Sequence, residues 1–512
     1  MTLALALAFA ATSNAQNNSW TNRYNGLGND RDEANAIAID SDDNVIVTGF
    51  ASGSFSSWDY VTIKYSNVGV PFWTNRYDGL ASGRDQANAV AVDDSGNVFV
   101  TGYAAGGNGD QYYATIKYSN GGAPLWTNLY IYEGPENGFG EANAIAVDGS
   151  GRVFVTGHSR GSGTNYSDYA TIAYSNIGVP LWTNRYNGPG NSSDYAHAIA
   201  VDGNGNVFVT GYSSGSGSST DFATLKYSNN GVPLWTNRYN GPGNEIDMSR
   251  ALAVDSSGNV FVTGYSGGND SGWDYATIKY SNNGMPLWTN RYSGQGNNTD
   301  QALAIVLDPN GDVFVLGSSM SSDSGWDYAT IKYSNDGVPL WTNRYDGGST
   351  DIASVIAVDG NGNVFVTGHS VGSGSADYTT IAYSNDGLPL WTNRYNGQGS
   401  SNDQANAIAV DGSGSVFVTG HSSSGGNDYD YVTIKYGAVT PTAFLQSPQV
   451  AASEFSFHLV AEPGGQFAIQ VSTNLVNWEA MRQVTIPASG STNIVETVMP
   501  QAGQMYYRAQ RQ

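Results

Sequence analysis

Cysteine is absent from the 512 residues, and only 13% of them are charged. Without cysteine there is no disulfide framework, no thiolate nucleophile and no Cys metal site, and the redox compartment is left open. Basic residues are few: 21 Lys and Arg face 44 Asp and Glu, a net charge of −23 with no local basic cluster. Such a surface repels phosphate backbones and anionic lipid heads, so nucleic acid is excluded as the expected partner. Long apolar runs are also missing, except at the start, MTLALALAFAATSNAQ. That run ends in Ser13, Asn14 and Ala15, small residues of the kind a signal peptidase cuts after. It predicts a signal peptide over 1–15 and a secreted or cell-surface protein, although no Lys or Arg precedes it. No other segment is long enough to span a bilayer, so no membrane insertion is expected of the mature chain.

Glycine, with 65 residues, and aromatics, at 12%, are what the chain has in quantity. Val, Ile, Thr, Tyr, Phe and Trp suit pleated, half-buried surfaces, and interspersed Gly, Asn, Asp and Ser end short strands. An all-β chain is predicted. Its organisation is periodic: WTNRY or a close copy places a tryptophan at Trp20, Trp73, Trp126, Trp182, Trp235, Trp288, Trp341 and Trp391. Each period of about fifty residues also holds AIAVD-like, NVFVTG-like and YATIKYS-like runs, hence four short strands, the content of one propeller blade. The AIAVD-like runs end at Asp40, Asp93, Asp148, Asp202, Asp255, Asp308, Asp359 and Asp411, which counts eight blades. Closing them into a ring lets every sheet bury both faces.

The string Ala142 to Ser159, ANAIAVDGSGRVFVTGHS, followed by Asp168 to Trp182, DYATIAYSNIGVPLW, resembles the bacterial SBBP β-propeller repeats and, more distantly, NHL repeats. The resemblance covers about residues 20 to 436. It implies that the AVD run is the innermost strand, VFVTG the second, TIKYS the third and WTNRY the outermost, in an often extracellular setting with no single activity. The chain ends its repeats on a third strand at Tyr436, so Trp20 to Tyr24 is expected to pair with it and lock the ring.

Two connections per period, DGNGN and SNNGVP, are short and nearly uniform, whereas those after WTNRY and after VTG are long and variable. Strand alternation puts the variable pair on one face, the expected ligand face. There, the position before the Asp-Tyr pair is Trp58, Gln111, Ser167, Thr220, Trp273, Trp326, Ala376 and Tyr429. Trp58, Trp273, Trp326 and Tyr429 are candidates for stacking on a sugar or peptide; packing against the adjoining loop is the competing reading. At the start of the inner strand Asn35, Asn88, Asn143 and Asn406 give way in blades four to seven to His197, Arg250, Leu303 and Ser354. His197 and Arg250 are further candidates, against the reading that Asn satisfies backbone groups and the others are tolerated variants.

His158, His369 and His421 follow VTG in blades three, seven and eight, where the other blades carry Phe50, Tyr103, Tyr212, Tyr265 or Ser318, so packing is favoured over zinc. DSDDN (Asp40 to Asn44) and DGNGN mimic the start of a calcium loop but lack a Glu at the twelfth place. Asp is expected to cap the hairpin turn instead, and no cofactor is called for. The string GxSxG recurs at Gly157–Gly161, Gly211–Gly215, Gly264–Gly268 and Gly368–Gly372, but inside a repeated β run rather than at a strand-to-helix elbow, and no HExxH or P-loop occurs.

After Tyr436, residues 437–448 read as a Pro- and Thr-bearing linker, and 449–512 as a five-stranded β-sandwich. QVSTNLVNWEAM (Gln470 to Met481) with the terminal YYRAQ resembles a small C-terminal β-domain of secreted Verrucomicrobia proteins, which implies an accessory role and a core position for Trp478. The combined expectation is an eight-bladed propeller over 16–436 that acts as a monomeric, non-catalytic module binding a glycan or an extracellular protein. A carbohydrate-active lyase or hydrolase and a structural surface protein are the alternatives.

Overall fold

The computed structural model describes residues 18–511 except 29, 54–56, 82, 131–137, 161–165, 269–271, 296–297, 323–324, 373, 398–400, 426–427, 439–443, 452–453, 461–465, 473–478, 486–490 and 498–505. The expected signal peptide and Trp478 lie outside the described residues. The chain forms two compact units, one of Ala15–Gly437 and one that holds Ala438–Gln512.

In the first blade the inner strand is Asp32–Ile39, the second Val45–Ser52, the third Trp58–Tyr65 and the outer Pro71–Tyr77, all antiparallel. Seven sheets repeat this order in sequence. The eighth runs inner Asp403–Val410, second Val416–Gly425, third Asp428–Tyr436, and takes Asn18–Tyr24 as its outer strand. That strand pairs from Trp20↔Lys435 to Tyr24↔Tyr431. The eight blades and the closure by the first strand are as the sequence predicts.

Burial explains the pattern within a blade. The second strand is buried along its whole length because a sheet covers it on either side, so it reads as an unbroken VFVTG-like run rather than as an alternation. The outer strand is exposed to half-buried and keeps polar residues. The glycine of VTG is required sterically: a Cβ on Gly49 would sit 1.9 Å from the Glu33 carbonyl oxygen, where the inner strand shifts register between Ala34 and Ala36.

Each core is shared by two blades. At the ring's seam, Val45, Val47 and Ile63 of blade one pack with Phe417 and Tyr431 of blade eight, under Trp20 and Tyr24. A buried tyrosine hydroxyl crosses most interfaces, as Tyr60 to the Ala114 carbonyl (3.2 Å), Tyr378 to Val432 (3.3 Å) and, across the seam, Tyr431 to Val61 (3.2 Å).

The second unit holds two three-stranded antiparallel sheets. Leu459, Phe467, Ala468, Ile469 and Ile494 are buried in it. Among the described residues six strands are present rather than five: Phe444–Ala451 forms one inside the stretch expected as linker, so that segment ends sooner than 448. Pro448 masked it in the sequence, yet the proline falls in a register shift between Gln446 and Gln449, where no ladder N–H is required.

Candidate functional site

The short turns form one face, and their polar groups are consumed in holding it. Asp40 Oδ1 accepts the backbone N–H groups of Asp42 and Asn44 at 3.0 and 2.9 Å, so the aspartate caps its turn as expected. Its other oxygen lies 2.6 Å from Lys64 Nζ, both side chains being buried. Lys64, Lys117, Lys226, Lys279, Lys332 and Lys435 each bond an asparagine in the next blade's turn: Asn120, Asn176, Asn282, Asn335, Asn385 and Asn67. The outer-strand tryptophan and asparagine add to this, with Trp20 Nε1 donating to Asn67 O (2.9 Å) and Asn22 Nδ2 to Gly69 O (2.7 Å).

Two interfaces depart from this scheme. Blade three has Ala173 in place of lysine, and Arg152 takes over, 2.7 Å from Asp148 and 3.4 Å from the Asn229 carbonyl. Blade seven has Ala382, and the blade that follows it has no such turn, because the chain leaves after Tyr436. There Trp391 and Asn393 are buried, and Trp391 Nε1 and Asn393 Nδ2 have no partner among the described residues.

The variable face breaks the eightfold symmetry at the channel mouth. Asn35, Asn88, Asn143 and Asn406 each donate to a carbonyl of the next inner strand, at Ala87, Ala142, Ala196 and Ala34, over 2.8 to 2.9 Å. These four stitch blade to blade, as the structural reading of Asn expects. His197, Arg250, Leu303 and Ser354 stand in the other four blades. Arg250 donates instead to Tyr265 Oη at 3.1 Å and lies over its ring at 5.4 Å.

The candidate residues fall into two groups. His197, Arg250 and Trp273 come together across blades four and five: His197 meets Tyr212 at 5.4 Å, and Trp273 stacks on Tyr265 at 5.0 Å. Burial pushes the His197 imidazole down to about 3, helped by the nearby Arg250 charge, and His158, 4.4 Å from Tyr195, down to about 4. Both are neutral at pH 7, and His158 is a packing residue between Phe139 and Tyr195. His197 Nε2 and Arg250 Nε are buried without a hydrogen-bond partner. Trp58 and Tyr429 form the second group through Arg31, whose guanidinium lies over the Trp58 ring at 5.7 Å and whose backbone pairs with that of Tyr429 in a parallel β-bridge. Trp58 offers no open platform: Phe50 stacks on one face and Arg84 covers the other, each 4.3 Å from the ring centre. Trp326 stands apart from both groups, half-buried opposite Met320.

Sequence reasoning missed two carboxylate groupings on this face. Asp59, Asp78 and Asp85, and Asp327, Asp346 and Asp351, each bring three oxygens within 4.8 Å, close enough for one cation. Arg76 and Arg344 already pair there with Asp59 and Asp327 at 2.7 and 2.6 Å. Burial raises Asp85 to about 6 against the N–H groups of Gly79 and Ala105. The signal available was Asp rather than Asn or Ser directly after the outer strand, at 78 and 346.

A closed ring of eight four-stranded blades with one uniform and one varied face is a β-propeller. The model of the SBBP β-propeller repeat matches residues 76–110, 181–217 and 234–270. The chain is thus a β-propeller that carries SBBP-type repeats. It is 24% identical over 412 residues to the uncharacterized WD repeat-containing protein L264 of Acanthamoeba polyphaga mimivirus, a match over 65% of this chain and 29% of that one. The chain therefore spans under a third of that relative's length. Among solved structures it is similar to Sqt1 from Chaetomium thermophilum, with a TM-score of 0.51 and 10% identity over 83% of this chain and 99% of the other. That likeness concerns the fold alone. Polysaccharide lyase Uly1 aligns at a TM-score of 0.43 and 12% identity over 78% and 89% of the two chains, too distant to bear on function.

Proposed function

We propose that this protein is a secreted or cell-surface, monomeric, non-catalytic module that binds a glycan or an extracellular protein on its variable face. One observation supports this reading above the others. Four of eight channel-mouth positions give up an asparagine that bonds the next blade, and two of them carry His197 and Arg250 with buried, unpartnered nitrogens. An unpaired buried donor or acceptor costs about 1–3 kcal/mol, a cost that a bound ligand's polar groups would offset. Scaffolds commonly carry such locally unfavourable choices where they bind.

The test is retention of the full chain on immobilised polysaccharides and cell-wall fractions, with analysis of any product released. Retention without product, lost on Arg250→Ala or Trp273→Ala at an unchanged Tm, supports binding. Product release from a glycan would replace this reading with an enzymatic one. Absence of retention on every glycan and cell-wall protein fraction would leave the structural alternative.

A further inference from the structure

On the variable face, where blades seven, eight and one meet, lies a cavity of about 310 Å³ lined by Arg31, His369, Asn402, Gln404, His421 and Tyr429 among others. One residue of its wall is small where some other blades are bulky. Ala376, also in its wall, occupies the position that holds Trp58, Trp273 and Trp326 in three other blades. The volume is at the small end of ligand pockets, room for one small cyclic molecule.

The wall is polar yet nearly free of unpaired charge. Arg31 is tied to Glu33. Asp403 is buried and accepts the N–H groups of Gly397 at 2.7 Å and Ser423 at 3.2 Å. What is left over are the two imidazoles: His369 Nδ1 and His421 Nδ1 are both buried without a hydrogen-bond partner. The acid facing His421, Glu33 Oε2, is 3.9 Å away, beyond hydrogen-bond reach. Burial lowers the pKa of both histidines, so each is neutral and offers one donor and one acceptor nitrogen. Hydroxyl groups, which donate and accept at once, match that pair better than an ion does. Tyr429, edge-on to His421 at 5.1 Å, adds a flat apolar surface, and the Asn402 and Gln404 amides add further donors and acceptors. A metal is disfavoured: the carboxylate and imidazole groups of the described residues that converge within 4.8 Å lie elsewhere on the face.

We propose that this pocket holds one neutral sugar unit of a glycan, with His369 and His421 bonding its hydroxyls and Tyr429 flanking its ring. The assignment rests on the glycan half of the function proposed above.

The experiment is calorimetric titration of the full chain with glucose, galactose, mannose, xylose and glucuronate, followed by oligosaccharides of whichever binds. His369→Tyr and His421→Tyr place in the pocket the residue that blades two, four and five carry there, and Ala376→Trp fills it with the residue of blades one, five and six. All three are compatible with the blade fold, which thermal melting checks. Each is expected to weaken neutral-sugar binding at least about tenfold, a loss of about 1.4 kcal/mol, whereas His158→Tyr in blade three leaves it unchanged. Equal affinity in the three pocket variants overturns the assignment, as does a preference for glucuronate. If polysaccharide retention survives the pocket variants but is lost with Arg250→Ala, the face still binds and the pocket is not its site. If the unaltered chain retains no glycan at all, the pocket assignment and the glycan half of the function fall together.

Discussion

The ammonium group of Lys435, at the end of the last third strand, donates to the carbonyl oxygen of Asn67 at 3.3 Å, in a turn of the first blade 368 residues earlier. The same bond joins ordinary neighbours elsewhere in the ring, so the closing interface is built like the others on this side. It depends on the outer strand that precedes every other element. Deleting residues 16–26 strips Trp20 and Tyr24 from the seam core and leaves the Asp428–Tyr436 strand as an open edge. Thermal melting should fall by about 10 °C or more, and an unchanged curve would show that the ring closes without it.

Blade three offers a test of the lysine staples. Arg152→Ala leaves Asp148 without its cation and the Asn229 carbonyl without its donor, and should cost about 1–2 kcal/mol in chemical denaturation. Adding Ala173→Lys to that variant restores the arrangement of the other blades and should recover most of the loss. No recovery would mean that the lysines contribute little beyond packing.

At the channel mouth, Arg250→Asn reintroduces the side chain that elsewhere donates to the next blade, here toward Ala302. A gain of about 0.5–1 kcal/mol in stability is expected, with loss of any ligand contact Arg250 makes. A variant that is both less stable and still fully retained on its ligand would contradict the division of labour proposed for this ring of residues.

His158 gives the fold an acid-side dependence whose sign is fixed. Its folded pKa is about 4, depressed by burial, against 6.5 in the unfolded chain. The unfolded state therefore takes up the proton first, and stability falls as pH drops from 6.5 toward 4, by up to about 3 kcal/mol from this group. Burial raises Asp32 and Asp85 to about 6, and these act in the opposite direction. The measurement is thus a difference: the stability of His158→Tyr relative to the unaltered chain should rise between pH 6.5 and 4. A flat difference would show that the imidazole is solvated.

The blade order, the closure and the Asp-capped turns were legible because a repeat fixes them locally and then copies them eight times. Contacts between blades were legible only in part. Lysine is present in six of eight third strands and alanine in two, at 173 and 382, but nothing in one chain says that the second alanine faces a missing turn. Trp58 reads as a platform in sequence; its covering by Phe50 and Arg84 depends on register and on the following loop. The cavity beside Tyr429 was invisible because three blades far apart in the sequence build its wall, with no motif of their own. In the second unit, Pro448 hid a strand whose irregular pairing tolerates it.

The first strand and its partner strand are also the first and last parts of the ring to be synthesised. Arg23 meets Asp430 at 2.8 Å across 407 residues of chain. Until blade eight forms, seven finished blades make an arc with two exposed flanks, and the outermost segment of the missing blade stays unpaired at the other end of the chain. Incomplete rings thus present matching flanks to one another, so this last pairing is the folding step most open to association between copies.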